Sequence, residues 1–520
     1  MLNPAILNPM RVALVALGLL AAVRPDASAQ APDVRYLAPT SWTQPFLDHL
    51  DRAGLLPGLD PLTRPLTRTG VVAAIDQPRT DSGGMASAAW ATMMEVRREL
   101  EPPAAGDSAG EVRWSLDGRI GVSAASDASR WITRPQGDTA RAFPQASLEG
   151  ALMLPHLALV TTPAVDNRLK YDTLYQGKQD RVIAGRNLSG YVLTSWRWFD
   201  AFFGTIPRNW GPPELEGLLV SPSPYSYEHL YLRFGPQKLR IEMIAAQLDP
   251  LVPWDSINTV DRWQVSHRLV AEPSSRFAFS LGETSIATGT GLPWRYLNPV
   301  QLGLLTQYDG APQVNSLLSA DARWQAARAL RLFAQVLIDD IQIDRSSKGD
   351  SEPPAYGLTV GGSGGLAHGL LAWTASYTRV SNLAYRTPLN EQQVTMQGMG
   401  IARNWSDYDE ATLHVTALLR PCLLVGGTLT AQRQGQGDMR LRYPPASAYA
   451  DSLTFLTGVV EKIVQPGLEA SWAPSPWIFL NGAVALRSAS NAGHVSGASD
   501  DRLVWRLGVS IRHRLLGRID

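Results

Sequence analysis

The sequence predicts an all-β transmembrane barrel of about 16–18 antiparallel strands, with 18 as the working count, behind a small N-terminal α-helical element. Three observations carry this. The chain opens with an export signal, its later part alternates apolar and polar residues over long stretches, and no apolar run after Ala29 approaches 18 residues. Composition agrees: the 520 residues carry 47 Lys+Arg against 47 Asp+Glu, and 18 % are charged. A neutral chain is not a nucleic-acid binder dominated by phosphate neutralisation, nor a polybasic membrane-surface protein. One cysteine, Cys422, excludes an intrachain disulfide framework and a multi-cysteine metal site.

Residues 1–29 read as a signal peptide. Arg11 supplies the positive charge, residues 12–23 form a 12-residue apolar stretch, and Ala27-Ser28-Ala29 is a small-residue cleavage site. Twelve residues are too few to span a bilayer as a helix. The mature chain is expected to begin at Gln30.

Residues 30–101 read as a helical element placed in the periplasm. Trp42, Phe46, Leu50 and Ala53 recur at helical spacing, with Ser41 as the expected N-cap and Gly54 past the end. Thr67 is placed to cap a second helix through Val71, Val72 and Ile75, and Trp90, Met93, Met94 and Leu100 suggest a third. These apolar stripes are expected to pack. Residues 102–111 are a linker by their Pro, Gly and Ala content.

Residues 112–520 carry the strands. Val112, Trp114, Leu116, Ile120 and Val122 alternate with Arg113, Ser115, Asp117, Arg119 and Ser123, and the pattern returns around Trp373, Val415 and Trp505. A period of two means one apolar and one polar face. A soluble sandwich would bury the apolar face, whereas a barrel turns it to lipid. Strands near ten residues long, Arg and Asp on the inward side, and aromatics near strand ends (Tyr191, Trp196, Trp263, Trp373, Tyr377, Trp472, Trp477, Trp505) favour the barrel. Closure also explains how one sheet runs through 409 residues.

Chemistry-bearing motifs are sparse. Residues 361–365 (GGSGG) match G-x-S-x-G around Ser363, but a strand-like stretch follows where a nucleophile elbow needs a helix, so a glycine-rich hairpin turn is expected. There is no HExxH, P-loop or EF-hand loop, and the eight histidines show no metal spacing. No cofactor or metal is expected. Two clusters stand out as ligand contacts. Asp339 and Asp340 end an apolar strand, where paired carboxylates can bind a cation or sugar hydroxyls, or form a solvated rim or a lumen salt-bridge network with Arg331 and Arg345. Residues 202–232 are dense in Gly, Pro and aromatics between two strands, and hold Arg208, Trp210, Glu214 and Glu216. Arg and Glu give bidentate hydrogen bonds, and a Trp face suits a sugar ring. An inward-folded loop that fixes barrel shape would use the same residues.

The element RNWGPPELEGLLVSPSP (residues 208–224), after a strand ending Phe203-Gly204, resembles the Wzi capsule-assembly outer-membrane proteins. Asn298-Pro299, Asn315, Asp321 and residues 335–340, and the helical prefix with Pro65-Leu66, are similar too. The chain departs from the family's GSLLLS form at residues 216–221 and places Pro222 and Pro224 after it. The resemblance implies a barrel whose lumen is closed by loops, and a surface lectin, not an enzyme, that anchors exported or capsular polysaccharide. The partners expected are that polysaccharide, outer-membrane lipid, and the barrel-assembly and periplasmic chaperone machinery. A porin-like diffusion channel and an outer-membrane hydrolase are the alternatives.

Overall fold

The computed structural model describes residues 33–77, 84–101, 112–137, 139–310, 314–340, 353–449 and 455–519. The expected signal peptide, the linker at 102–111 and Arg345 lie outside the described residues. Eighteen strands form a closed antiparallel barrel. The first nine are β1 (Val112–Ala125), β2 (Arg141–Leu154), β3 (Leu157–Asp166), β4 (Gly185–Trp196), β5 (Phe199–Thr205), β6 (Glu228–Phe234), β7 (Leu239–Leu251), β8 (Val260–Ser274) and β9 (Phe277–Thr288). The rest are β10 (Asn315–Ala327), β11 (Leu330–Asp340), β12 (Ala355–Leu366), β13 (Leu371–Val380), β14 (Tyr408–Arg420), β15 (Leu423–Gln434), β16 (Glu461–Ser475), β17 (Ile478–Ser490) and β18 (Ser499–Ile519). Each pairs with its sequence neighbours, and β18 closes on β1 from Val112↔Ile519 to Ala125↔Arg506.

The alternation sorts as a membrane barrel requires. Leu116, Ile120, Leu281, Leu468, Leu503 and Leu507 point outward and are exposed, while Arg113, Glu242, Arg268 and Gln264 point inward and are buried. An exposed leucine belt outside and charges inside reverse the sandwich arrangement. One end has tight turns, such as 155–156, 197–198, 275–276 and 328–329. The other carries long segments, notably 206–227, 289–314 and 381–407.

Three helices close the tight-turn end: α1 (Gln44–Arg52), α2 (Arg68–Asp76) and α3 (Ser87–Leu100). Thr67 caps α2 as its sequence position predicts, accepting from Gly70 N at 3.1 Å. The α1 N-cap is Thr43, not Ser41; the Ser41 hydroxyl instead accepts from Thr43 N at 3.3 Å. Phe46, Leu50, Val71, Met93 and Val96 build a common core. Trp90 departs from the expected packing stripe and is half exposed. The helices are stitched to the wall: Cys422 N donates to Thr92 Oγ1 at 2.9 Å and Ala86 N to the His368 carbonyl at 3.1 Å.

Two other expectations need correction. Residues 361–365 are no turn; they lie inside β12. The glycines there admit the C-terminal end of α1, since a Cβ on Gly365 would sit 2.5 Å from the Ala53 carbonyl oxygen. Tyr191 is no girdle residue. Its side chain is buried, and its hydroxyl accepts from Tyr36 N at 3.1 Å.

Candidate functional site

Residues 206–227, between β5 and β6, fold back into the lumen, and the N-terminal segment rises to meet them. Thr63 and Arg64 pair antiparallel with Trp210 and Asn209. Trp210 N donates to the Val220 carbonyl at 3.0 Å, so the loop closes on itself. Gly217 makes this possible, because a Cβ there would lie 2.3 Å from both the Trp210 and Val220 carbonyl oxygens. The 381–407 segment covers the loop: Ser221 N donates to the Ile401 carbonyl at 3.0 Å, and Tyr385 Oη to that of Leu218 at 2.7 Å.

The sequence-selected residues fall in different layers of this seal. Trp210 is fully enclosed, with the Arg268 guanidinium 4.5 Å from its ring centroid. Arg208 is buried against the rings of Tyr231 and Phe202, at 3.9 and 4.5 Å, and donates from Nε to His229 Nε2 at 2.6 Å. Glu214 reaches Arg323 on β10 at 2.8 Å and Arg331 on β11 at 3.5 Å, and accepts from Ser363 Oγ at 3.0 Å. Burial pushes the Glu214 carboxyl up, but Arg323 and Arg331 outweigh it and hold it below the ordinary carboxylate value. Asp51, at the end of α1, shares both arginines at 3.0 and 3.3 Å. Asp339 accepts from Tyr385 N at 2.6 Å and so holds the covering segment, and Asp340 pairs in register with Ala355 at the strand end. Arg331 belongs to the Asp51–Glu214 cluster, not to a network with Asp339 and Asp340.

Asp339 and Asp340 stand at the long-loop end of β11, and Glu216 also leads toward that face. Its Oε2 accepts from Ser223 Oγ at 2.8 Å and its Oε1 from Trp131 Nε1 at 3.5 Å. Trp131 begins a shelf of half-buried aromatic and guanidinium groups from four segments. Trp131 meets Trp405 edge-on at 5.1 Å. Arg134 lies over Trp405 at 3.9 Å, and Arg130 lies over Trp131 and Tyr225 at 5.1 and 4.5 Å. Tyr175 meets Tyr225 at 5.2 Å, and Arg186 covers the same ring at 4.5 Å. Arg130 donates to the Ser223 carbonyl at 2.7 Å and Arg134 to Gln434 Oε1 at 2.8 Å. Among the described residues, no carboxylate lies within ion-pair distance of Arg130, Arg134 or Arg186. Burial lowers the guanidinium pKa of both Arg130 and Arg134 from its ordinary value. The neighbouring Arg403 is buried, and its Nε and Nη2 have no hydrogen-bond partner. The sequence reading missed this shelf. Its members are scattered from Arg130 to Trp405, and Tyr225 and Tyr227, within the selected 202–232 stretch, were the one local signal.

Among the described residues, no group of three or more His, Cys, Asp or Glu is placed to hold a metal. Ser363 lies on a strand, and its hydroxyl donates to Glu214, a carboxylate that Arg323 and Arg331 also engage.

No protein-family model matches the sequence, and no curated protein does. Among solved structures the chain is similar to Escherichia coli Wzi, described as an outer-membrane protein involved in group 1 capsule assembly and a carbohydrate-binding β-barrel. The two share 13 % identity over 92 % of this chain and 99 % of that one, at a TM-score of 0.60. OprD of Pseudomonas aeruginosa aligns over 78 % of this chain and 96 % of its own, at 11 % identity and a TM-score of 0.44. OccAB1 of Acinetobacter baumannii aligns over 78 % and 97 %, at 12 % identity and a TM-score of 0.46. The Wzi match shows that the two chains share a fold.

Proposed function

We propose that the protein is a non-catalytic outer-membrane barrel that binds an exported or capsular polysaccharide on its long-loop face. The observation that carries this is the shelf. Aromatic faces for sugar rings and guanidinium groups without carboxylate partners converge from separate loops onto one surface. Arg groups left without carboxylates suit carboxylate-bearing sugars. A repeating polymer gains avidity from many weak contacts. The Wzi description supports the carbohydrate reading by likeness of fold.

In this reading the tight-turn end and its helices face the periplasm, because outer-membrane barrels carry short turns on that side. Arg208, Trp210, Glu214, Asp339 and Asp340 shape and seal the lumen, and Glu216 positions Trp131. The barrel-assembly and periplasmic chaperone machinery would act during export. The filled lumen speaks against a steady diffusion pathway, and the bonded Ser363 speaks against a serine hydrolase.

The test is equilibrium binding of the reconstituted protein to an acidic polyuronate and to neutral dextran. Saturable binding of the polyuronate, weakened by salt, is expected; binding of neither polymer would overturn the reading.

A further inference from the structure

The segment after β9 does not stand out into solvent. It bends back and lies against the outer wall of the barrel. The parity of the strands establishes the side. Thr284 and Ile286 point inward, where Thr284 bonds Ser266 and Ile286 joins the luminal core. Leu281, Glu283, Ser285 and Ala287 therefore point outward, and across the β8–β9 ladder His267 stands opposite Glu283. The outward residues nearer the tight turns, Leu281 and Leu269, are exposed members of the lipid-facing belt. The next ones up, His267 and Glu283, are buried under the returning segment.

The strap is bolted to the wall by that carboxylate. Glu283 accepts from Gly303 N at 2.7 Å and Leu304 N at 2.6 Å, at the start of the short helix α4 (Gly303–Tyr308). His267 Nε2 stands 3.4 Å from the same carboxylate. Around it, Tyr296 and Val314 pack on Val265 and Ala287, with Trp263 and Leu297 against them. The strap thus covers two polar wall positions that would otherwise face hydrocarbon, where an uncovered acid is costly.

Its exposed residues are mostly apolar, with the polar Arg295, Asn298 and Gln301 among them. Trp294, Val300, Leu302 and Leu305 are exposed, Val300 at 73 %, and Arg295 and Asp309 are the only charges between residues 290 and 310. An exposed face of this kind on an ordinary water-bathed loop would be a liability. Here it continues the belt formed by Leu281 and Leu269 on the strands beneath it.

We propose that residues 292–307 form a lipid-seated strap whose outer face, through Trp294, Val300, Leu302 and Leu305, contacts acyl chains of the bilayer leaflet at the long-loop end. The strap extends the hydrophobic surface of one side of the barrel beyond the strands and lets the wall carry a polar anchor at that depth. This stands apart from the polysaccharide reading, which uses other loops.

The experiment places single cysteines at Val300→Cys and Leu305→Cys, with Leu281→Cys as the belt reference and Lys178→Cys as the aqueous loop reference. Each carries an environment-sensitive fluorophore in protein reconstituted in phospholipid bilayers. The buried Cys422 stays in place, and the unsubstituted protein sets the labelling background. The probes at 300 and 305 should be quenched by brominated lipid to the same degree as the one at 281, and severalfold more than the one at 178. Quenching by aqueous iodide at the level of position 178 would overturn the proposal. So would protection from both quenchers with a 300–300 crosslink, which would assign the face to a second copy. Heat-modifiable migration on gels confirms that each variant is folded. Should a cysteine variant not fold, photolabelling of the unsubstituted protein with an acyl-chain diazirine lipid gives the same decision, by whether the strap peptide is labelled.

Discussion

Arginine does two different jobs in the two halves of this barrel. In the seal most buried guanidinium groups meet a carboxylate; Arg208, held by His229 and the rings of Tyr231 and Phe202, is the exception. Arg268 reaches Glu242 at 2.8 Å, Arg240 reaches Asp60 at 2.6 Å and Glu242 at 2.7 Å, and Arg35 reaches Asp33 at 2.7 Å. On the shelf Arg130, Arg134 and Arg186 meet ring faces and neutral oxygens instead. A pair already made is a structural joint. A guanidinium held in place without its natural partner is set to receive one. Under the proposed function, this contrast separates the residues that close the lumen from those that would meet the polysaccharide.

The sharpest way to break the comparison is to unpair the seal. Glu242→Ala leaves Arg268 without its carboxylate, and stranding a buried charge costs about 3–5 kcal/mol. Its unfolding free energy from urea titration should fall by that amount, while whatever fraction remains folded binds polysaccharide as before. Acid acts on the same region through His49. Burial lowers its pKa to about 4, and it sits between Thr416 Oγ1 at 2.8 Å and the Gly369 carbonyl at 2.9 Å. The unfolded chain takes up this proton below about 6.5 and the folded one only near 4, so stability is lost as pH falls through that window, by of order 3 kcal/mol. A stability–pH profile should show this slope, and His49→Gln should flatten it. A second loss below about 4 is expected from Asp33. Burial pushes its carboxyl up, but Arg35 outweighs this and holds it at about 2.

The shelf should respond in binding and not in stability. Trp131→Ala removes one ring face, worth about 1 kcal/mol, or roughly fivefold in affinity, with the urea midpoint unchanged. Arg134→Gln should have the smallest effect, about 0.5–1 kcal/mol, and should reduce the salt sensitivity of binding to an acidic polymer. Isothermal titration at two ionic strengths reads both.

Much of the fold was legible because period-two patterning and inward charge are local signals. Arg113, Asp117 and Leu116 state their faces within one strand. Thr67 likewise announced its helix. The glycines at 361–365 misled because their meaning is a contact with Ala53, more than 300 residues away. The site was half legible. The composition of residues 208–216 marked the loop that enters the lumen, yet the same residues serve a ligand or a seal, and only burial separates the two. Trp210 and Glu214, read as ligand contacts, proved to be enclosed. Trp131, Tyr225 and Trp405 are unremarkable in sequence and become a surface only when three loops converge.

The most direct test compares polyuronate binding by the wild type with that of a Trp131→Ala, Tyr225→Ala, Arg130→Gln variant, both reconstituted and both shown by heat modifiability to be folded. The account predicts that the variant loses saturable binding while the barrel keeps its urea midpoint. Wild-type affinity in the variant would contradict it and move recognition away from the shelf.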